Sequence, residues 1–88
     1  MDLGIAGRMA IVCGSSRGLG RACATSLANA GCTVVINGIN PETLDTTAAE
    51  LESITGAKII PVAADVTTSE GQAALLEACP SPEILVTN

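Results

Sequence analysis

The sequence predicts an α/β fold, a parallel sheet doubly wound by helices on both faces. Three observations carry this. Short β-branched apolar runs recur at residues 9–13, 32–37, 58–63 and 83–87. Segments with helical apolar spacing lie between them. The connections are short, so each strand passes through a helix into the next strand by a right-handed crossover.

Residues 9–13, Met-Ala-Ile-Val-Cys, form a near-continuous apolar run, the signature of a strand covered on both faces. Over 18–30, Leu19, Ala22, Cys23, Ser26, Leu27 and Ala30 fall on one helical stripe, and Gly31 closes the helix. The second strand spans 32–37. The second helix spans 41–55, with Asn40 as N-cap, Pro41 in its first position and Gly56 after its end. Its stripe is Leu44, Ala48, Leu51 and Ile54 or Thr55. The third strand spans 58–63. A third helix over 68–79 carries Ala73, Leu76 and Ala78 or Cys79 on its apolar side. Two capping boxes compete for its start, Thr67 with Glu70 and Ser69 with Gln72. The fourth strand spans 83–87 and leaves an apolar sheet edge, which natural proteins cover. Residues 1–88 therefore read as the N-terminal part of one domain whose remainder is absent, truncated after the fourth strand.

Composition narrows the function. A chain of 88 residues holds one small domain. The net charge of −5 argues against nucleic acid as a partner. No uncharged apolar stretch is long enough to span a membrane, and the N-terminus lacks a secretory pattern. The four cysteines, Cys13, Cys23, Cys32 and Cys79, lie in apolar surroundings with no Cys-x-x-Cys pair and no histidine in the chain. They read as packed thiols rather than disulfides or metal ligands, which points to the cytoplasm. Tyr, Phe, Trp and His are absent and Lys58 is the sole lysine, so no catalytic residue is assigned. Glu50, Glu52, Glu70 and Glu77 read as solvated helix faces.

Chemistry concentrates in Cys13-Gly14-Ser15-Ser16-Arg17-Gly18-Leu19-Gly20, between the first strand and the first helix. Gly14 turns the chain off the strand at positive φ. Gly18 admits a phosphate close to the backbone, and Gly20 lets the helix pack on the strand. The helix N-terminus then offers N–H groups and partial positive charge to an anion, with Ser15 and Ser16 adding hydroxyl donors. The stricter Gly-x-Gly-x-x-Gly fingerprint is half met, and no Walker A lysine follows. A glycine-rich turn without ligand is the competing reading.

The spacing of Gly14, Gly18 and Gly20 after Ile11-Val12 resembles the nucleotide loop of the short-chain dehydrogenase/reductase family, with Cys13 where that family usually has threonine. Asp65-Val66 is similar to its adenine-contacting Asp-Val pair. Ile84-Leu85-Val86-Thr87-Asn88 is similar to the start of its Asn-Asn-Ala-Gly stretch, with Thr87 in place of the first Asn. The resemblance implies a Rossmann-type subunit of roughly 250 residues. It also implies a nicotinamide cofactor and interconversion of a ketone, 3-oxoacyl groups among them, with a secondary alcohol. The family's catalytic serine and Tyr-x-x-x-Lys pair have no counterpart in these residues. A homo-oligomer, a tetramer in most relatives, is implied for the full-length protein.

The coenzyme itself is read from the end of the second strand, where an acid would bind the ribose hydroxyls of NAD and repel the phosphate of NADP. Asn37 stands there and is neutral. Arg17 is similar to the loop cation of NADP-preferring members, while Ile39 occupies the place of a second cation; a solvated charge is the plain alternative for Arg17. NADP is favoured, with NAD as alternative. Asp65 is expected to touch adenine, to cap the third helix, or both. Asn88 is expected to contact the cofactor through its backbone, or to be a strand-end turn residue. Cys13 is expected to be packed rather than reactive. The competing functions are a non-catalytic NAD(P)-binding fragment and, further off, a methyltransferase or sugar-nucleotide epimerase on a related fold.

Overall fold

The computed structural model describes residues 7–14 and 18–87. Its elements alternate without exception: β1 (Met9–Cys13), α1 (Gly18–Asn29), β2 (Thr33–Gly38), α2 (Pro41–Thr55), β3 (Ile59–Ala63), α3 (Ser69–Ala78) and β4 (Ile84–Val86). The strands form one parallel sheet in the order β3-β2-β1-β4. The chain steps outward from β1 to β3, then returns across β1 to place β4 on its far side. That reversal beside β1 is where open α/β sheets bind ligands, beyond the carboxyl ends of the strands.

Strand alternation divides the core between the two sheet faces. Ala10, Val12, Val34 and Ile36 meet Ala24, Ala28, Leu44, Ala48 and Leu51 beneath α1 and α2. Ile11 and Val35 point the other way, to Leu75 and Cys79 of α3. The near-continuous apolar runs of β1 and β2 are thus used on both faces, as expected for parallel central strands. Leu44 and Leu51 are among the largest fully buried side chains, and each contributes about 1.5–3 kcal/mol of transfer free energy. The α3 face is thinner, and Leu76 and Leu85 stand 54% and 61% exposed around the β4 edge.

The predicted ends of α2 are met. The Asn40 side chain accepts from Thr43 N–H, Pro41 is the first helical residue and Gly56 caps the C-terminus in the left-handed region. The start of α3 differs from both predicted capping boxes. Thr68, the residue between them, is the N-cap, and its hydroxyl accepts from Gly71 N–H at 3.0 Å. The choice is tertiary: the Asp65 carbonyl receives both the N–H and the hydroxyl of Thr68.

Two helical stripes are rotated from expectation. In α1 the buried row is Gly20, Ala24 and Ala28, while Ala22 and Ser26 are exposed. In α3 the buried row is Gly71, Leu75 and Cys79, while Ala73 and Leu76 face outward. Both rows run at i, i+4, i+8 and begin with glycine, so the narrowest side of each helix lies on the sheet. Of the two residues offered for the end of the α2 stripe, Ile54 is 66% exposed and Thr55 is half-buried.

The four cysteines are free thiols. Glu50 and Glu52 are exposed as expected, yet both make contacts. Glu50 pairs with Arg21 at 2.7 Å across α1 and α2, and Glu52 accepts from the Ile59 N–H at the start of β3. An exposed pair of this kind is worth at most about 1 kcal/mol. Among the described residues no helix is long and apolar enough to cross a membrane, and no group of His, Cys, Asp or Glu is placed to hold a metal ion.

Candidate nucleotide site

A cleft of about 460 Å³ opens at the carboxyl ends of β1, β2 and β3. Its floor is Cys13 and Gly14 where β1 ends and Asn37 and Gly38 where β2 ends. One wall is Ile39, Asn40 and Thr43, leading into the first turn of α2. The opposite wall is Ala64, Asp65, Val66 and Thr67, between β3 and α3. Five of the sequence-predicted residues, Gly14, Asn37, Ile39, Asp65 and Val66, therefore come together from segments up to 52 positions apart. Gly18, Leu19 and Gly20 form the opening of α1 beside the cleft. Ser15, Ser16, Arg17 and Asn88 lie outside the described residues.

Gly14 leaves β1 in the left-handed region, as the sequence predicts, and Gly18, where the sequence called for a missing side chain rather than a positive φ, lies there too. Gly14 and Gly18 take φ of 66° and 65°, a region that costs an L side chain about 1–2 kcal/mol. A Cβ at Gly18 would have no atom within 4 Å beyond its own stretch of backbone, so the space around it is open. Conformation, rather than crowding by the chain itself, requires glycine there. Gly20 is buried, in keeping with close packing of α1 on the sheet. No acidic residue sits in the first turn of α1, so the positive end of the helix faces this opening without an opposing carboxylate from that turn.

At the end of β2 the structure separates two neighbours. The Asn37 side chain is 3% exposed, and its amide nitrogen donates to the carbonyl oxygens of Val62 and Ala64, both at 3.0 Å. It bridges β2 to the segment that leaves β3. Strand β2 runs one residue further than the sequence suggested, and its last residue is Gly38. Gly38 faces α2, where a Cβ would lie 3.3 Å from Leu44 Cδ1. Ile39 follows at 77% exposure, a large apolar side chain at the rim.

The Asp65 wall is rigid by construction. Asp65 Oδ1 accepts from Thr67 N–H at 2.9 Å and from Thr67 Oγ1 at 2.6 Å. These bonds hold its carboxyl below the ordinary carboxylate value, chiefly through the hydroxyl and then the backbone N–H. Asp65 thus shapes its own turn and does not cap α3, which Thr68 does. Gly71, in the first turn of α3, is pressed onto the Asp65 backbone so closely that a Cβ would run into the Asp65 carbonyl oxygen. Gln72 Nε2 donates to the Val66 carbonyl at 3.0 Å. Burial pushes the Cys13 thiol up, so it is a packed, protonated group at the cleft floor, as its sequence context indicated.

The lining offers carbonyls, amides, hydroxyls, apolar surface and one carboxylate. That set suits recognition of a nucleoside and its phosphates more than proton transfer. Sequence reasoning missed Gly38, Asn40, Thr43 and Thr67 as cleft residues, and Gly71 as their support. The signal for Gly71 was present: a glycine inside a helix costs about 1 kcal/mol against alanine and calls for a packing reason.

The family model described as short chain dehydrogenase matches residues 8–86. An uncharacterized oxidoreductase of Bacillus subtilis, YvaG, is 40% identical over 89 aligned positions, covering 100% of this chain and 34% of that protein. The 3-oxoacyl-[acyl-carrier-protein] reductase FabG of Aquifex aeolicus is 41% identical over 58 residues, 66% of this chain and 23% of its own length. Among solved structures, the L-sorbose reductase of Gluconobacter frateurii, complexed with NADPH and L-sorbose, superposes with a TM-score of 0.94 at 36% identity, covering 100% of this chain and 35% of that one. The RhlG/NADP active-site complex of Pseudomonas aeruginosa gives 0.84 at 35% identity over 99% of this chain and 35% of that one. The chain spans about a third of the length of YvaG and of these two solved chains.

Proposed function

The chain belongs to the short-chain dehydrogenase family, and from that premise we propose that it is the nucleotide-binding part of an NADP(H)-dependent oxidoreductase that interconverts a ketone and a secondary alcohol. The observation that carries the proposal is the Gly14–Gly18 turn. Gly14 lines the cleft at the point where the strand order reverses, and Gly18, left-handed like it, begins α1 at that helix's positive end. The residues fit the coenzyme on two counts. The Cβ position of Gly18 is surrounded by open space, and the strand end nearest α2 carries a glycine rather than an acid.

In this reading Gly14, Ser15, Ser16, Gly18, Leu19 and Gly20 hold the diphosphate through backbone amides and hydroxyls. Arg17 meets the 2′-phosphate, Gly38 and Ile39 leave room for the adenosine ribose, and Asp65 with Val66 borders the adenine. Asn88 contacts the cofactor from β4's end. When bound, the coenzyme supplies the hydride; this chain's residues bind it, orient it and exclude water from its phosphates. The substrate is a small carbonyl or alcohol compound, with a 3-oxoacyl chain as the class we put first, in line with the similarity to a 3-oxoacyl reductase. Residues 1–88 form part of a single larger Rossmann domain, supported by the exposed apolar Leu85 of β4 and Leu76 of α3 and by the fractional coverage of the relatives. The full-length protein is a cytoplasmic homo-oligomer, a tetramer by family resemblance, with no nucleic-acid partner.

The test is a titration with NADPH and with NADH, followed by nicotinamide fluorescence against a chain that has no aromatic residue of its own. Micromolar binding, tighter for NADPH, is expected. Arg17→Ala should raise the dissociation constant for NADPH far more than for NADH. Binding of neither coenzyme would overturn the proposal, and equal effects of the substitution on both would remove the phosphate role of Arg17. Binding without turnover in the full-length protein would favour the non-catalytic reading.

A further inference from the structure

Asn37 is one of two buried polar residues in the described structure, and it is buried at the floor of the cleft. Both partners of its side-chain nitrogen are carbonyl oxygens, which only accept, so chemistry fixes the amide with its nitrogen toward β3. The first bond, to Val62, reinforces the register in which Asn37 faces Val62. The second, to Ala64, reaches past the last residue of β3 and ties down the start of the wall that carries Asp65. From the other side, Gly71 lets the first turn of α3 rest directly on the Asp65 backbone, and Thr68 binds the same carbonyl through its N–H and its hydroxyl. The wall is held between an amide below and a glycine above.

We propose that Asn37 and Gly71 are positioning residues for coenzyme binding, fixing Ala64, Asp65 and Val66 from opposite sides so that the adenine wall is set before the coenzyme arrives. The role rests on the coenzyme reading of the cleft. It gives Asn37 a function other than ribose contact. A residue whose amide hydrogens are committed to two backbone carbonyls acts on the ligand through the segment it holds. Preorganisation of this kind raises affinity by removing the ordering cost from the binding step.

The experiment uses the full-length protein with NADPH and NADH as probes, at a temperature well below the unfolding midpoint of each variant. Asn37→Asp removes both donors at constant size, and Gly71→Ala pushes on Asp65 from the opposite side. Each is expected to weaken NADPH and NADH alike, by about tenfold, which is what loss of one or two well-placed hydrogen bonds brings. The ratio of the two dissociation constants stays within about twofold. Where Asn37→Asp yields no folded protein, Asn37→Ser, which keeps one donor, carries the same test with a smaller loss. A role confined to stability would lower the unfolding midpoint and leave both dissociation constants where they were, and that result overturns the proposal. A shift of Asn37→Asp toward NADH by tenfold or more also overturns it, because it would place the residue 37 side chain against the 2′-phosphate instead of the β3 carbonyls. Wild-type protein that binds neither coenzyme overturns the coenzyme reading and this inference together; wild-type binding with unaltered variants overturns this inference alone.

Discussion

Gly38→Asp is the substitution that tests coenzyme preference most directly. Gly38 ends β2 at the cleft floor and lies outside the left-handed region, so the backbone accepts an L side chain there. The new Cβ would sit 3.3 Å from Leu44 Cδ1. Leu44 is fully buried but meets Gly38 with the far end of its side chain, so a shift of a few tenths of an ångström relieves the contact at roughly 1 kcal/mol. That cost falls on stability and is common to both coenzymes. The carboxylate acts differently on the two. Within about 5 Å of a 2′-phosphate it repels by roughly 1–3 kcal/mol per unit charge at effective dielectric constants between water and a protein surface. This corresponds to a loss in NADPH affinity of about 5–150-fold. NADH carries hydroxyls instead and gains a charge-assisted hydrogen bond. The ratio of the dissociation constants for NADPH and NADH, from parallel fluorescence titrations, should therefore rise by at least about tenfold. An unchanged ratio would refute the placement of the ribose beside Gly38. Parallel weakening of both coenzymes would show that the side chain disturbs the cleft rather than discriminating within it.

Two further outcomes follow from the wall between β3 and α3. Thr68→Ala removes the N-cap of α3 and should cost about 1 kcal/mol, a drop of about 4–8 °C in the unfolding midpoint followed by circular dichroism; a drop under one degree would mean that Asp65, not Thr68, fixes the helix start. The lowered carboxyl of Asp65 makes a pH prediction: its contribution to stability is full above its ordinary value of 3.8 and is lost as pH falls through the lower folded value. Thr67→Val removes the larger of the two causes and should move the Asp65 titration, read by carboxyl NMR, part of the way back toward 3.8; no movement would discount the 2.6 Å hydroxyl contact.

The sheet and α2 were legible because their signals are strong and local. The β-branched runs bracket each strand to within a residue or two, and Asn40-Pro41 with Gly56 mark the ends of α2. The helices α1 and α3 were placed but not oriented. Alanine and cysteine supply most of their apolar character, so several stripes about 100° apart are almost equally apolar, and the sheet selects the narrowest. The start of α3 was ambiguous for a related reason. Thr67, Thr68 and Ser69 can all cap, and the decision belongs to the Asp65 carbonyl, which only the folded loop supplies. In the cleft, Gly14, Asn37, Ile39, Asp65 and Val66 were expected while Gly38, Asn40, Thr43 and Thr67 were not, and no side-chain commitment was legible. What occupies the Asn37 amide depends on the β2–β3 register, set by residues 25 and 27 positions away.

That register also explains why adjacent residues at the end of β2 divide the work. Successive side chains of a strand point to opposite faces. Asn37 shares a face with Val35, on the α3 side, and so reaches the wall that starts at Ala64. Gly38 shares a face with Ile36, on the α1 and α2 side, and so meets Leu44. On the proposals above, coenzyme discrimination lies with Gly38 and bracing of the wall with Asn37, and a strand one residue out of phase would exchange them. The pair Asn37→Asp and Gly38→Asp therefore forms one comparison: the same charge is introduced 1 residue apart on opposite faces of a single strand. On the argument from alternation, the first lowers affinity without changing preference, and the second changes preference. If both variants gave the same ratio of dissociation constants, the strand's two faces would not be distinct to the ligand, and the division of labour drawn from the register would fall.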